Sequence, residues 1–258
     1  MRRLAYFDTS YFIQGAVESA REMLQTAIEI DPNYARAHVE LAWTYVDEWF
    51  TLGKDENPSK AFRCAQTAAQ LDPSDSNAQR TLGMTLLWLR KYDEAGSQLE
   101  KAVSINPNDV MAAQNLAVYL DFIGRPSDAK VTMQNAMRLD PHYYYAGIFR
   151  ETLGYALYNL GQYSEALVEF GSLNPKPYWV HAYLAACCAQ LDRMEEARAQ
   201  AAAFLEDSLP TSSKPPVGGI IIDRDARLHA IRAYMGTYKH KAGSDRWFSA
   251  MRKAGIPV

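Results

Sequence analysis

Residues 82–107 read LGMTLLWLRKYDEAGSQLEKAVSINP, and this stretch decides the fold. Leu82, Gly83 and Leu86 share one helical face, and Ala95, Leu99 and Ala102 share another after the short connection Arg90-Lys91-Tyr92-Asp93. Pro107 ends the second helix, because it has no N–H to donate and restricts the residue before it. The same layout recurs outward. Leu116, Ala117, Leu120, Ala129, Met133, Ala136 and Pro141 repeat it without a gap, and Leu153, Gly154, Leu157, Gly161, Tyr163, Ala166 and Phe170 repeat it again. Pro73, Pro107 and Pro141 stand 34 residues apart, while Pro32 precedes Pro73 by 41, one period plus seven.

This spacing predicts helix pairs in which small residues at Ala20, Ala95, Ala129, Ala166 and Ala197 let the second helix approach the first. Gly124 and Gly161 are expected in the left-handed conformation that ends a first helix. One pair buries too little apolar surface alone, so successive pairs must stack. Six units are expected, at about 1–34, 35–75, 76–109, 110–143, 144–176 and 177–209. The first unit's Phe7 and Tyr11 belong to its opening helix, and the seven extra residues of the second lengthen its internal loop around 51–58. Residues 210–222 read as a linker, and 223–258 as capping helices, one over 225–235 and one opening at Ser244 as N-cap. Trp247, Phe248 and Met251 are expected to pack on the last repeat.

Composition narrows the function classes. The 258 residues are 48% apolar and 22% charged, with 14 Gly and 12 Pro, which excludes disordered and collagen-like chains. The net charge of −3 gives no basic balance for nucleic acid. Three cysteines, Cys64, Cys187 and Cys188, build no disulfide framework and suit a reducing, cytoplasmic setting. No run is apolar and long enough to span a membrane, and the apolar run behind Arg2 and Arg3 breaks at Asp8 before it becomes a signal peptide. No nucleophile elbow, P-loop, dinucleotide fingerprint or zinc motif is present, so no catalytic residue, metal or cofactor is expected. The five histidines lack metal-ligand spacing, and the adjacent carboxylates Glu195 and Glu196 do not face each other on a helix.

The recurring positions resemble the tetratricopeptide repeat (TPR) family. Leu82, Gly83, Ala95 and Pro107 carry its signature in one unit, Leu116, Ala129 and Pro141 in the next, and Leu153, Gly154 and Ala166 in a third. Ala20 with Pro32, Pro73 and Ala197 carry parts of it in the remaining units. The resemblance implies an all-α, right-handed solenoid of helix-turn-helix units. Further phrases are similar to the TPR region that follows the catalytic domain of bacterial class III adenylate and guanylate cyclases. These are Ala27-Ile-Glu-Ile-Asp-Pro-Asn-Tyr, Leu41-Ala-Trp-Thr-Tyr, Arg138-Leu-Asp-Pro-His-Tyr, Met194-Glu-Glu-Ala-Arg-Ala and Arg252-Lys-Ala-Gly-Ile-Pro. Similar regions follow winged-helix domains in bacterial regulators. Residues 1–34 are taken up by the first repeat, so the sequence reads as a free-standing relative or as the repeat region of a larger protein.

The resemblance implies a concave surface lined by the first helix of each pair. Its ligand-facing positions fall on Trp43, Arg80, Met84, Trp88, Gln114, Val118, Phe122, Tyr155 and Tyr158, with Val46, Asp47, Leu87, Asp121 and Glu151 beside them. Aromatic anchors with few charges suit a protein or peptide segment. The bland reading of each aromatic is packing between neighbouring repeats. At the position where carboxylate-clamping TPR domains carry Asn, this chain has Trp43, Met84, Val118 and Tyr155, which disfavours capture of a chain end. A non-enzymatic interaction scaffold is therefore expected. The alternatives are an oligomerisation module, forming a homodimer through the repeat ends, or an accessory region of a cyclase or transcriptional regulator.

Overall fold

The computed structural model describes residues 16–52, 54–143, 146–174, 176–206 and 224–258. Among these residues there are thirteen α-helices and no strand. The helices are α1 (Ala16–Ile30), α2 (Ala35–Leu52), α3 (Asn57–Leu71), α4 (Ser76–Trp88), α5 (Tyr92–Ile105), α6 (Val110–Phe122) and α7 (Pro126–Leu139). They continue as α8 (Ala146–Asn159), α9 (Tyr163–Gly171), α10 (Tyr178–Gln190), α11 (Met194–Leu205), α12 (Arg224–Met235) and α13 (Lys241–Lys253). Phe7, Tyr11 and the stretch 210–222 lie outside the described residues. Residues 16–112 with 224–230 form one compact unit, and 113–206 with 231–258 form a second.

The repeated sequence produces repeated boundaries. Four second helices, α1, α3, α5 and α7, end on an Asx turn, in which the side chain of Asp31, Asp72, Asn106 or Asp140 accepts the backbone N–H two residues on, across the following proline. The same residues donate their own N–H to the carbonyls of Ala27, Ala68, Ala102 and Ala136, so the helix is closed before the proline interrupts it. First helices end on a different device. Gly124 and Gly161 take φ of +84° and +77°, as their sequence positions predict, and Arg90 and Asp192 adopt the same left-handed conformation without being glycine. At each of these four turns the following N–H returns to a carbonyl one turn back: Lys91 to Leu86, Arg125 to Leu120, Gln162 to Leu157 and Arg193 to Cys188.

Packing within a pair follows from residue size. Ala95, Ala129, Ala166 and Ala197 are fully buried. A Cβ on Gly83 would stand 2.6 Å from Leu99 Cγ, and one on Gly154 would stand 2.6 Å from Phe170 Cε1. The glycine in each Leu-Gly pair is therefore a socket for a large side chain of the second helix.

The expected long loop around 51–58 is corrected: α2 runs eighteen residues to Leu52 and α3 starts at Asn57, so the extra residues lengthen the first helix, and one carboxylate gathers the short connection. Glu48, 4% exposed, accepts Arg21 Nη2 at 2.9 Å, Lys54 Nζ at 2.5 Å and Asn57 Nδ2 at 2.7 Å. Burial opposes its ionisation, but these three donors and the Arg21 charge together hold it below the usual carboxylate range.

The expected N-cap at Ser244 is corrected. Helix α13 starts at Lys241 with His240 as its N-cap residue, and Ser244 sits in the first turn donating to the Lys241 carbonyl. A Ser in the first turn can bond back to the preceding backbone, so its presence alone did not fix the boundary.

Candidate functional site

The nine candidate residues are all buried, none more than 9% exposed. In the first compact unit, Trp43 of α2 donates its indole N–H to Thr81 Oγ1 of α4 at 3.0 Å, and the Arg80 guanidinium lies 6.0 Å from the Trp43 ring. Trp88 of α4 packs against Trp49 at 5.6 Å and edge-on against Phe50 at 5.2 Å. Met84 is buried on the same helix. The structure thus brings Trp43, Arg80 and Trp88 into an aromatic layer between the first helices of adjacent repeats.

The second unit uses the same step with different chemistry. Gln114 of α6 donates to Thr152 Oγ1 of α8 at 2.8 Å, 38 residues on, as Trp43 does to Thr81. Tyr158 packs edge-on against Tyr163 and Tyr183, and burial pushes its hydroxyl well up. Val118 is buried on α6.

Phe122 and Tyr155 meet a part of the chain that the repeat pattern does not contain. Phe122 stacks on Tyr238 at 4.2 Å and meets Tyr234 edge-on at 5.0 Å, while Tyr155 lies 6.3 Å from Tyr234. Tyr183 of α10 donates to Met235 Sδ at 3.4 Å and packs on Trp247 at 5.7 Å. The end of α12, the connection after it and α13 therefore lie against α6, α8 and α10, the first helices of three successive repeats.

Two carboxyls near this contact, Asp121 buried and Glu151 half-buried, are held by neutral donors. Asp121, 3% exposed, accepts Asn159 Nδ2 at 3.0 and 2.8 Å and the Tyr238 hydroxyl at 2.8 Å. Burial outweighs these hydrogen bonds and raises its pKa to about 6. Glu151 accepts the Tyr155 hydroxyl and the Trp179 indole N–H, and burial raises it as well. Burial also pushes up the thiols of Cys187 and Cys188, which favours the protonated form. Among the described residues, no group of three or more His, Cys, Asp or Glu is arranged to hold a metal ion. The side chains gathered at this contact engage in hydrogen bonding and aromatic stacking.

Tyr234, Tyr238, Asn159, Arg246 and Lys253 had no place in the sequence expectation. Two signals pointed to them: the aromatic pair four residues apart at 234 and 238, and the basic bias of the C-terminal 35 residues.

Comparison with known proteins places the repeats. Residues 10–47 match a family model described as TPR repeat, and residues 81–109 match one described as tetratricopeptide repeat. The chain carries tetratricopeptide repeats, and its fold is that of a TPR helical array. It is 36% identical over 80 residues to "Putative adenylate cyclase 3" of Rhizobium meliloti, a match covering 30% of this chain and 14% of that protein. It is 30% identical over 135 residues to the type IV pilus assembly protein PilF of Pseudomonas aeruginosa, covering 50% of each. The chain thus spans only 14% and 50% of the lengths of these relatives. The crystal structure of TTC0263, a thermophilic TPR protein of Thermus thermophilus, superposes with a TM-score of 0.58 at 20% identity over 78% of this chain and 99% of that one. Among the described residues no helix is long and apolar enough to cross a membrane.

Proposed function

We propose that this chain is a non-enzymatic scaffold that takes a protein segment on the first-helix faces of its repeats. The observation that carries this reading is the occupied face of α6, α8 and α10, where aromatic rings and the buried Asp121 carboxyl already hold the C-terminal segment. In the first unit Trp43, Arg80, Met84 and Trp88 are buried within the α2 and α4 layer and shape the corresponding face from beneath. A chain whose carboxyls and thiols are spent on packing and hydrogen bonding is suited to binding and not to turnover.

The similarity to an adenylate cyclase supports a second, narrower role as an accessory region that regulates a signalling domain, attached or separately encoded. The three free cysteines fit a cytoplasmic setting for either role.

The test is affinity capture with the full chain as bait, beside a Trp43→Ala/Trp88→Ala double variant whose helical circular dichroism is checked first. Partners retained by the wild type and lost by a still-helical variant are expected. Equal capture by both overturns the assignment to α2 and α4. Light scattering on the same samples reads the homodimer alternative directly.

A further inference from the structure

The charge of the chain is unevenly divided. Residues 224–258 hold eight Lys or Arg and two Asp, a formal +6, which leaves 19 basic and 28 acidic residues, −9, in the rest. Three of these basic positions, Lys239, Arg246 and Lys253, stand seven residues apart. Arg246 and Lys253 each bring a charged side chain to the C-terminal end of one first helix, and Lys239 brings a backbone N–H to that of a third. The Lys239 N–H donates to the Phe122 carbonyl at 2.9 Å at the end of α6, and Arg246 Nη1 donates to the Asn159 carbonyl at 3.2 Å at the end of α8. Lys253 Nζ donates to the Ala189 carbonyl at 3.0 Å near the end of α10 and pairs with Asp192 at 2.6 Å.

The carbonyls chosen follow from how these helices terminate. The turns at Gly124 and Gly161 return N–H groups to Leu120 and Asp121, and to Leu157 and Tyr158. The next carbonyls, those of Phe122 and Asn159, point out of the helix end at the negative pole of its dipole. Arg246, which arrives there with its guanidinium, gains a charge-assisted hydrogen bond, whereas the contact at Phe122 is an ordinary backbone hydrogen bond from the Lys239 N–H.

The spacing is a ruler. Seven residues of helix advance about 10.5 Å, close to the roughly 8–10 Å that separates the axes of packed helices. A helix laid across the ends of stacked first helices therefore presents a cation to each in turn if its cations recur every seven residues, as Arg246 and Lys253 do on α13. On the inner side, aromatic rings four apart at Tyr234 and Tyr238 address Phe122, Tyr155 and the Asp121 carboxyl. The tether joining this segment to α11 runs from 207 to 223 and includes Ser212-Ser213, Pro215-Pro216 and Gly218-Gly219. Covalent linkage raises the local concentration of the segment.

We propose that the first-helix ends and inner faces of α6, α8 and α10 are a receptor for a basic helical segment with cations seven residues apart and an aromatic pair ahead of them. Residues 231–258 occupy it in cis, and a helix of the same chemistry from another protein takes their place. This rests on the scaffold reading and adds the chemical class of the partner.

The test keeps the full chain and places a protease site within 211–216. After cleavage, a fluorescent synthetic peptide of residues 224–258 is added. The labelled peptide is expected to exchange into the cleaved chain, at least about a hundredfold more weakly into the uncut chain, and about tenfold more weakly when it carries Arg246→Ala and Lys253→Ala. No uptake by the cleaved chain, or equal uptake of both peptides, overturns the proposal. If cleavage precipitates the protein, hydrogen exchange on the uncut chain decides. Exchange of 231–258 at least tenfold faster than α8 and α10 supports a releasable occupant, and equal protection overturns it. Loss of this result with partner capture through Trp43 and Trp88 intact refutes the receptor and leaves the scaffold standing.

Discussion

Asp121 is a buried carboxyl whose ionisation the fold opposes in an accessible pH range. Its pKa rises from 3.8 to about 6 because burial costs the charged form more than Asn159 and Tyr238 return. The groups around it are Asn159 of α8, Tyr183 of α10 and Tyr238, with Arg246, His240 and Lys239 on the same docked segment. A raised carboxyl contributes stability that is complete below the unfolded pKa and is lost as pH rises through the folded one. Two units correspond to roughly 3 kcal/mol. Asp121→Asn keeps the shape and removes the titration. The stability of the variant relative to wild type should therefore climb between pH 4 and pH 6.5 and stay level above. Urea unfolding of both proteins at pH 4.0, 5.5 and 7.5 reads this, and a constant difference across the three would refute it. Glu48 works in the opposite sense. Its lowered pKa gives stability that is present above about 4.5 and lost as pH falls, so only the difference between variants isolates Asp121.

At the scale of the element, the repeat signature reads as three separate devices. The alanines and glycines set how closely two helices approach, Asx turns close four of the second helices, and left-handed turns close four of the first. Gly154→Ala places a methyl 2.6 Å from the Phe170 ring, so overpacking of about 1–3 kcal/mol should exceed the ~1 kcal/mol that Ala gains in helix propensity. Thermal unfolding should show a net loss. Gly161→Ala meets nothing within 4 Å, and its cost is only that of the left-handed conformation, roughly 1–2 kcal/mol. Arg90, at φ +59°, already bears that cost, so Arg90→Gly should raise stability by up to about 1 kcal/mol. A drop in the unfolding midpoint of that variant would show that the Arg90 side chain matters more than its backbone. The glycines were legible from their spacing. Arg90 and Asp192 were not, since the same turn is built there from residues that carry no such signal.

At the scale of the molecule, the C-terminal residues change what the repeats can offer. Trp247 is fully buried against Tyr183, and Met251 and Ile256 are buried with it. Trp247→Ala should cost about 3–5 kcal/mol, which denaturant unfolding of the full chain would register. A cost below about 1 kcal/mol would mean that the segment docks through its charges alone. The cleaved chain should also hold its segment more weakly as salt rises, because Lys253 and Asp192 are exposed and screened. Salt-independent retention would assign the docking to apolar burial.

The sequence by itself determined the helices, their pairing and the small residues between them, because each of these rests on contacts within about one 34-residue period. Only the tertiary structure decided that Phe122, Tyr155 and Asp121 meet Tyr234 and Tyr238. That contact joins distant parts of the chain, as far apart as the 117 positions between Asp121 and Tyr238, and no periodicity records it. A pattern of aromatics on first helices is the same whether a partner or the chain itself covers them. The carbonyls of Phe122, Asn159 and Ala189 carry no sequence signature at all, because a backbone acceptor becomes a site only when helix ends are lined up by the stacking of repeats.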